Sequence, residues 1–244
     1  MNVKRRMLEF MAVVGMTMAV VMWPAQLALA GDGVIEDGAC TGFDSCDNNS
    51  GIIKSGACMG PLSCDNNGRV IKEDACAGGS SCTQNSAIIK QGACSGSGSC
   101  SINTGVIGEL ACAGTESCNG NSGKIGTNSC GEGSMVCNSN AGKIGRDSCM
   151  GPGACMGNEG NIGKDSCMAK DSCLNNTGKI KSGSCNKEGA CANNSGVIAK
   201  NSCNSVDACP DNERGSKKYK HGKHSKHDKK HGKKHHKWWS KYAD

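Results

Sequence analysis

The sequence predicts an all-β fold: a three-sided parallel β-solenoid of about ten 18-residue coils, stapled by disulfides, with a disordered basic tail. Three observations predict it. Cysteines recur in pairs at a fixed period, Ile and Asn recur in step with them, and large side chains are scarce. Twenty cysteines and 36 glycines accompany an aromatic content of 3%. Between residues 31 and 209 the only aromatic is Phe43. An ordinary core layers bulky side chains, so this core must be narrow and filled by something else.

The cysteine pairs are Cys40/Cys46, Cys58/Cys64, Cys76/Cys82, Cys94/Cys100, Cys112/Cys118, Cys130/Cys137, Cys149/Cys155, Cys167/Cys173, Cys185/Cys191 and Cys203/Cys209. The pattern is C-x5-C followed by x11, with one extra residue in Cys130/Cys137. Seven residues after each of the first nine second cysteines stands Ile, from Ile53 to Ile198, and Ile35 holds the same place ahead of the first pair. Three residues after each second cysteine stands Asn, from Asn49 to Asn212. Gly usually follows two later; Arg69 and Ala87 break that habit. Ala or Ser always precedes the first cysteine.

A residue that returns at a fixed period stacks on its own copy, and stacked strands lie about 4.8 Å apart, so ten coils make a rod about 45–50 Å long. Three bends are expected per coil. One falls between the paired cysteines, at Gly60-Pro61 or Gly78-Gly79. A second falls at the Asn and its following Gly, residues that tolerate positive φ. A third precedes the first cysteine, at Gly56, Asp74, Gly92, Asn128, Asp147 or Gly183. Sides of about six residues then remain, within the normal strand range. The first cysteine, the second cysteine and the Ile are each expected to supply an inward position on one side. Burying one Ile contributes roughly 1.5–3 kcal/mol, while ordering each residue costs about 1–2 kcal/mol. The aliphatic stack alone cannot hold the coils, and disulfides replace the missing hydrocarbon, as in small secreted domains.

Two pairings are geometrically open. The bend within a pair can bring the two Cα atoms to bridging distance, and so can the stacking of adjacent coils; the first is favoured. The Asn column also has two roles: a ladder of buried amides along the rod, or a turn residue in each coil. The Gly that follows so closely favours the turn.

The C-x5-C pairing at a fixed period resembles the disulfide-bridged β-solenoids of beetle antifreeze proteins. The cysteine, glycine and asparagine usage is also similar to that of longer cysteine-rich repeat arrays in secreted proteins without assigned function. The resemblance implies the solenoid architecture. The regular Thr-x-Thr face of the beetle proteins is missing: Thr41, Thr83, Thr104, Thr115, Thr127 and Thr177 fall at differing repeat positions. Ice or crystal-surface binding is therefore a minor alternative.

Three regions are expected: a signal peptide at residues 1–30, the solenoid at 31–209 and a Lys/His-rich tail at 210–244. Lys4, Arg5 and Arg6 precede an uncharged, mostly apolar run over residues 10–23, and Ala28-Leu29-Ala30 offers small residues for cleavage. The run is shorter than the roughly 20 residues a membrane-spanning helix needs. Export to a secreted, periplasmic or cell-envelope location lets the cysteines be read as disulfides.

The tail differs in charge from the rod. From Pro210 onward there are 12 basic and four acidic residues, net +8; residues 31–209 hold 13 basic and 17 acidic residues, net −4. Lys217, Lys218, Lys220, Lys223, Lys226, Lys229, Lys230, Lys233, Lys234 and Lys237 are candidate polyanion contacts, for an anionic polysaccharide or lipid headgroup. Trp238, Trp239 and Tyr242 could add stacking or interfacial contacts. His221, His224, His227, His231, His235 and His236 are candidate ligands for Zn, Cu or Ni. The expected function is a rigid exported rod held to a polyanionic surface by the tail, with extracytoplasmic metal binding as the alternative. No nucleophile motif, paired carboxylates or phosphate loop occurs, so no enzyme, cofactor or small-molecule substrate is expected. Open solenoid ends leave ladder groups for self-association.

Overall fold

The computed structural model describes residues 32–213. The expected signal peptide and the tail from residue 214 onward, with every candidate lysine and histidine, lie outside the described residues. Within them the chain winds as a parallel solenoid of about nine turns, and no helix occurs among the described residues.

One strand per coil is stacked along one side. These are β1 (Val34–Ile35), β2 (Ile52–Ile53), β3 (Val70–Ile71), β4 (Val106–Ile107), β5 (Lys124–Ile125), β6 (Lys143–Ile144), β7 (Asn161–Ile162), β8 (Lys179–Ile180) and β9 (Val197–Ile198). Each position pairs with its own copy in the next coil, as Ile125 does with Ile144 and Ile162. β1–β3 and β4–β9 form two sheets, joined through single parallel bridges from Ile71 to Ile89 and from Ile89 to Ile107. The interruption follows Arg69 and Ala87, where side chains replace the usual Gly.

The strands are two residues long, shorter than the six-residue sides expected from spacing. The reason lies in the backbone. All twenty cysteines sit at positive φ, between 56° and 66°, and a left-handed residue ends an extended run. The expected inward cysteine on an extended side is thereby corrected: the cysteines point inward from corners. Cys173, at φ 59°, and Cys191, at φ 62°, show the arrangement in the eighth and ninth coils. Each such non-glycine residue costs about 1–2 kcal/mol relative to the right-handed regions. The surroundings hold it there. The backbone N–H of Cys58 donates to Ala75 O at 2.9 Å and that of Cys64 to Ser81 O at 2.8 Å, so inter-coil hydrogen bonding continues around the corners. Far along the rod the same bonds recur, from Cys173 N–H to Ala190 O at 3.0 Å and from Cys191 N–H to Ala208 O at 2.9 Å.

All ten bridges close within a pair, from Cys40–Cys46 to Cys203–Cys209, with Cα–Cα distances of 5.7–5.9 Å. Cys173 bridges to Cys167 and Cys191 to Cys185, both at 5.8 Å, and neither Cys173 nor Cys191 is exposed at all. The alternative of bridging between adjacent coils is thus not used. Cys130–Cys137 absorbs its extra residue without widening, at 5.7 Å. No cysteine is free. Ile53, Ile71, Ile89, Ile107, Ile125, Ile144, Ile162, Ile180 and Ile198 are at most 1% exposed and share the interior with the sulfurs and small residues. In the chain-entropy account each bridge over so short a loop contributes on the order of 2 kcal/mol.

The Asn column is both ladder and turn brace. From Asn67 to Asn212, each side-chain Nδ2 donates to Oδ1 of the Asn one coil earlier at 2.6–2.8 Å. The same amide often closes a ring with the residue two later, as Asn49 does through Gly51 N–H and Gly51 O, both at 3.1 Å. The bend itself lies one residue earlier than expected. Positive φ falls on Asn48, Gln84, Ile102 and Ser139, not on the column Asn. The column residue must aim its amide inward, so its exposed neighbour takes the left-handed turn. The following Gly serves close approach: a Cβ at Gly123 would lie 2.7 Å from Asn140 Nδ2.

A second regularity runs through the core. In the first five coils Ala precedes the first cysteine and Ser the second, as in Ala57 with Ser63. From the sixth coil Ser129, Ser148, Ser166, Ser184 and Ser202 precede the first cysteine, and Val136, Ala154 and Ala190 precede the second, while the eighth coil keeps a buried Ser172 there as well. The exchange falls in the coil with the extra residue. Each arrangement satisfies the buried hydroxyl: Ser63 Oγ donates to Gly60 O at 2.7 Å, and Ser129 Oγ to Gly145 O at 2.7 Å.

Candidate functional site

The face that a partner meets is set by the strand's outward position, since the next residue is the buried Ile. Along the first coils this position holds Val34, Ile52, Val70, Ile88 and Val106, and all but Val70 are at least 36% exposed. From β5 it changes character: Lys124 pairs in register with Lys143, Asn161 follows, and Lys179 stands after it. Like charges placed opposite each other across a ladder are unfavourable, and the row contains one such pair, Lys124 against Lys143, with Asn161 between Lys143 and Lys179.

A bare strip runs beside the row. Two residues after the outward position, four successive coils carry Gly108, Gly126, Gly145 and Gly163, where coils at either end carry Lys72, Lys90 or Lys181. The next position bears Arg146, Lys164 and Lys200, all exposed. The result is a shallow furrow with a backbone floor and cationic walls. One stretch of it is lined by Gly163, Lys164, Lys179, Lys181 and Lys200, among others. Arg146 lies 3.7 Å from Asp147, and Lys164 lies 3.9 Å from Asp165. Among the described residues no ion pair engages Lys124, Lys143, Lys179, Lys181 or Lys200. The sequence reading placed the cationic surface in the tail and missed this second one. Its signal was present, as a Lys and Gly alternation in the 18-residue register.

The opposite end is acidic. Desolvation by burial raises the pKa of Asp65, with the nearby Asp47 and Asp44 adding to the rise against a backbone hydrogen bond from Asp47. On the strand side, the hydrogen bond from Lys54 holds the half-buried Glu36 below its ordinary pKa and Lys54 above its own.

Metal ligation by the rod has one geometric candidate class. Groups such as Cys46, Cys58 and Cys64, or Cys112, Cys118 and Cys130, bring their sulfurs within 4.8 Å of one another. All of these sulfurs are bridged, and a metal-binding cysteine must be a thiolate. Cys173 and Cys191 belong to no such group among the described residues; their sulfurs serve the bridges alone. The candidate histidines lie outside the described residues.

Fold and surface together define a disulfide-stapled, cysteine-rich parallel β-solenoid, and disulfides at this density are typical of extracellular proteins. Residues 26–109 and 74–190 match the family described as a domain of unknown function, DUF7640, and the chain belongs to it. No curated protein and no solved structure matches the chain.

Proposed function

We propose that this chain is an exported structural rod that attaches to a polyanionic surface of an envelope or matrix through its cationic tail. The observation that carries the reading is charge segregation: residues 210–244 have net charge +8 and residues 31–209 net charge −4. Opposite signs on two adjacent parts suit a tail that grips and a rod that stands away from an anionic surface. The disulfide core supports export, because such bridges persist in oxidising compartments. No catalytic step belongs to this reading.

The test is retention on an anionic matrix, comparing the full chain with a form ending at residue 215. The full chain is expected to elute at clearly higher salt, since each anionic group that a tail cation neutralises releases counterions and steepens the salt dependence. Equal retention of both forms refutes tail anchoring. A second reading rests on the six tail histidines: binding of Zn, Cu or Ni by neutral imidazoles. Calorimetric titration of the oxidised protein with Zn at neutral pH should give heat that vanishes in mild acid as the imidazoles protonate. A flat titration eliminates it.

A further inference from the structure

We propose that the furrow over β5–β8 is a second binding site, built to hold a linear, carboxylate-bearing polysaccharide along the rod axis. The proposal rests on the polyanion reading above for its partner class and on separate residues for its geometry.

Three features carry it. The walls are cationic on both sides, with Lys124, Lys143 and Lys179 on one and Arg146, Lys164 and Lys200 on the other, all exposed. Lys124, Lys143, Lys179 and Lys200 have no ion-pair partner among the described residues. The floor carries no side chain at Gly126, Gly145 and Gly163, in the coils of β5–β7, and Lys181 takes the same position in the β8 coil as a cationic end stop, so a flat chain of rings can settle onto backbone between the walls.

The direction of the furrow selects a linear ligand. In-register stacking sets equivalent positions about 4.8 Å apart along the rod, and cations fill most of them, with Asn161 between Lys143 and Lys179 on one wall and Ser182 between Lys164 and Lys200 on the other, so a linear polymer meets several charges where a small anion meets one or two. The residue types select among polyanions. Binding of single-stranded nucleic acid rests on aromatic side chains that stack with bases, and the only aromatic in residues 31–209 is Phe43, in the first coil. Lysine dominates the walls. It acts as a compact point charge without the planar fork that grips carboxylate or phosphate bidentately, which suits a row of single charges such as the carboxylates of a uronate chain.

The experiment uses the full chain, oxidised, with polygalacturonate as probe, titrated calorimetrically between about 50 and 200 mM salt. Three variants are compared with the natural chain: a furrow variant (Lys124→Gln, Lys143→Gln, Lys179→Gln), a control on the same side of the earlier coils (Arg69→Gln, Lys72→Gln, Lys90→Gln), and a tail variant (Lys217→Gln, Lys218→Gln, Lys229→Gln, Lys230→Gln). Far-UV circular dichroism checks that each is folded. At roughly 0.7–0.9 released counterions per cation, the furrow variant should flatten the salt slope by about 2 and weaken binding about tenfold, with the control changing the slope by less than about 1. A furrow variant equal to the natural chain overturns the proposal. So does a control that loses as much, because diffuse charge then accounts for the binding. Tighter, furrow-dependent binding of oligothymidylate overturns the choice of polysaccharide. The tail variant tests the anchoring reading alone: unchanged binding there, with loss in the furrow variant, removes the tail and leaves the furrow.

Discussion

Replacing Asn121 by Ala tests the amide ladder at its middle. Asn121 is fully buried. Its Nδ2 donates to Asn103 Oδ1 at 2.8 Å and to Gly123 O at 3.3 Å, and its Oδ1 accepts from Asn140 Nδ2 at 2.8 Å. Alanine removes all three. Neither neighbour is wholly orphaned: Asn103 Oδ1 still accepts from Gly105 N–H at 3.3 Å, and Asn140 Nδ2 still donates to Gly142 O at 3.2 Å. At about 1 kcal/mol per hydrogen bond, with no full penalty for a stranded group, the loss is about 3 kcal/mol. The terminal Asn212 keeps one ladder bond, to Asn194 Oδ1 at 2.6 Å, so Asn212→Ala should cost about 1 kcal/mol. Amide hydrogen exchange with the disulfides intact reads both, because solenoid stability is a sum of coil and interface terms. Protection in the coils around Asn121 should fall about a hundredfold or more, against roughly fivefold at Asn212. Equal losses at the two positions, or a loss at Asn121 below about 1 kcal/mol, would show that the amides are spectators of the turn.

Three further outcomes are expected. Gly123→Ala, whose Cβ would collide with the backbone oxygen of Gly142 and lie 2.7 Å from Asn140 Nδ2, should destabilise by about 3 kcal/mol; Gly79→Ala, where the nearest atom is 3.4 Å away, should change stability by less than about 0.5 kcal/mol in the same denaturant melt. Replacing Cys112 and Cys118 together by Ala should lower stability by on the order of 2 kcal/mol, and an unchanged melting midpoint would deny the bridges their part. Asp65→Asn should stabilise the first coils near neutral pH and make no difference in acid. The folded pKa of Asp65 is raised, so the native fold takes up its proton more readily, and the cost of the charge is present above the folded pKa and disappears as pH falls below it. A variant that is equally or less stable near neutral pH contradicts that assignment.

The solenoid was legible because its period is written in sulfur. Ten cysteine pairs, the Ile column and the Asn column set the coil length, the parallel register and the local bridges. The bend ahead of the first cysteine was legible too: Gly56, Asp74, Gly92, Asn128, Asp147 and Gly183 all have positive φ. Strand length was not. Nothing in a cysteine's chemistry announces left-handed backbone, and that conformation at all twenty positions, Cys173 and Cys191 included, cuts each side short. The bend beside the Asn column was misplaced by one residue although its true site carries turn formers in most coils, such as Asn48, Gly120, Asn175 and Asp211: Gln84 and Ile102 break that pattern, and the Asn that recurs in every coil drew the assignment to itself. The exchange of Ala and Ser between the two sides was visible only once both positions were known to be buried against facing carbonyls. The furrow escaped notice because its lysines are diluted among acids in a region of net negative charge; the register alone brings them into rows.

The bridges' six- or seven-residue spans bear on how such a chain can be made. Twenty thiols permit an enormous number of mispairings, and a protein that depended on distant partners would have to search among them. Here every correct partner is also the nearest in sequence, and the encounter of chain ends is entropically least costly over short loops. Oxidation can therefore proceed coil by coil while synthesis continues, each finished turn offering its edge as the template for the next.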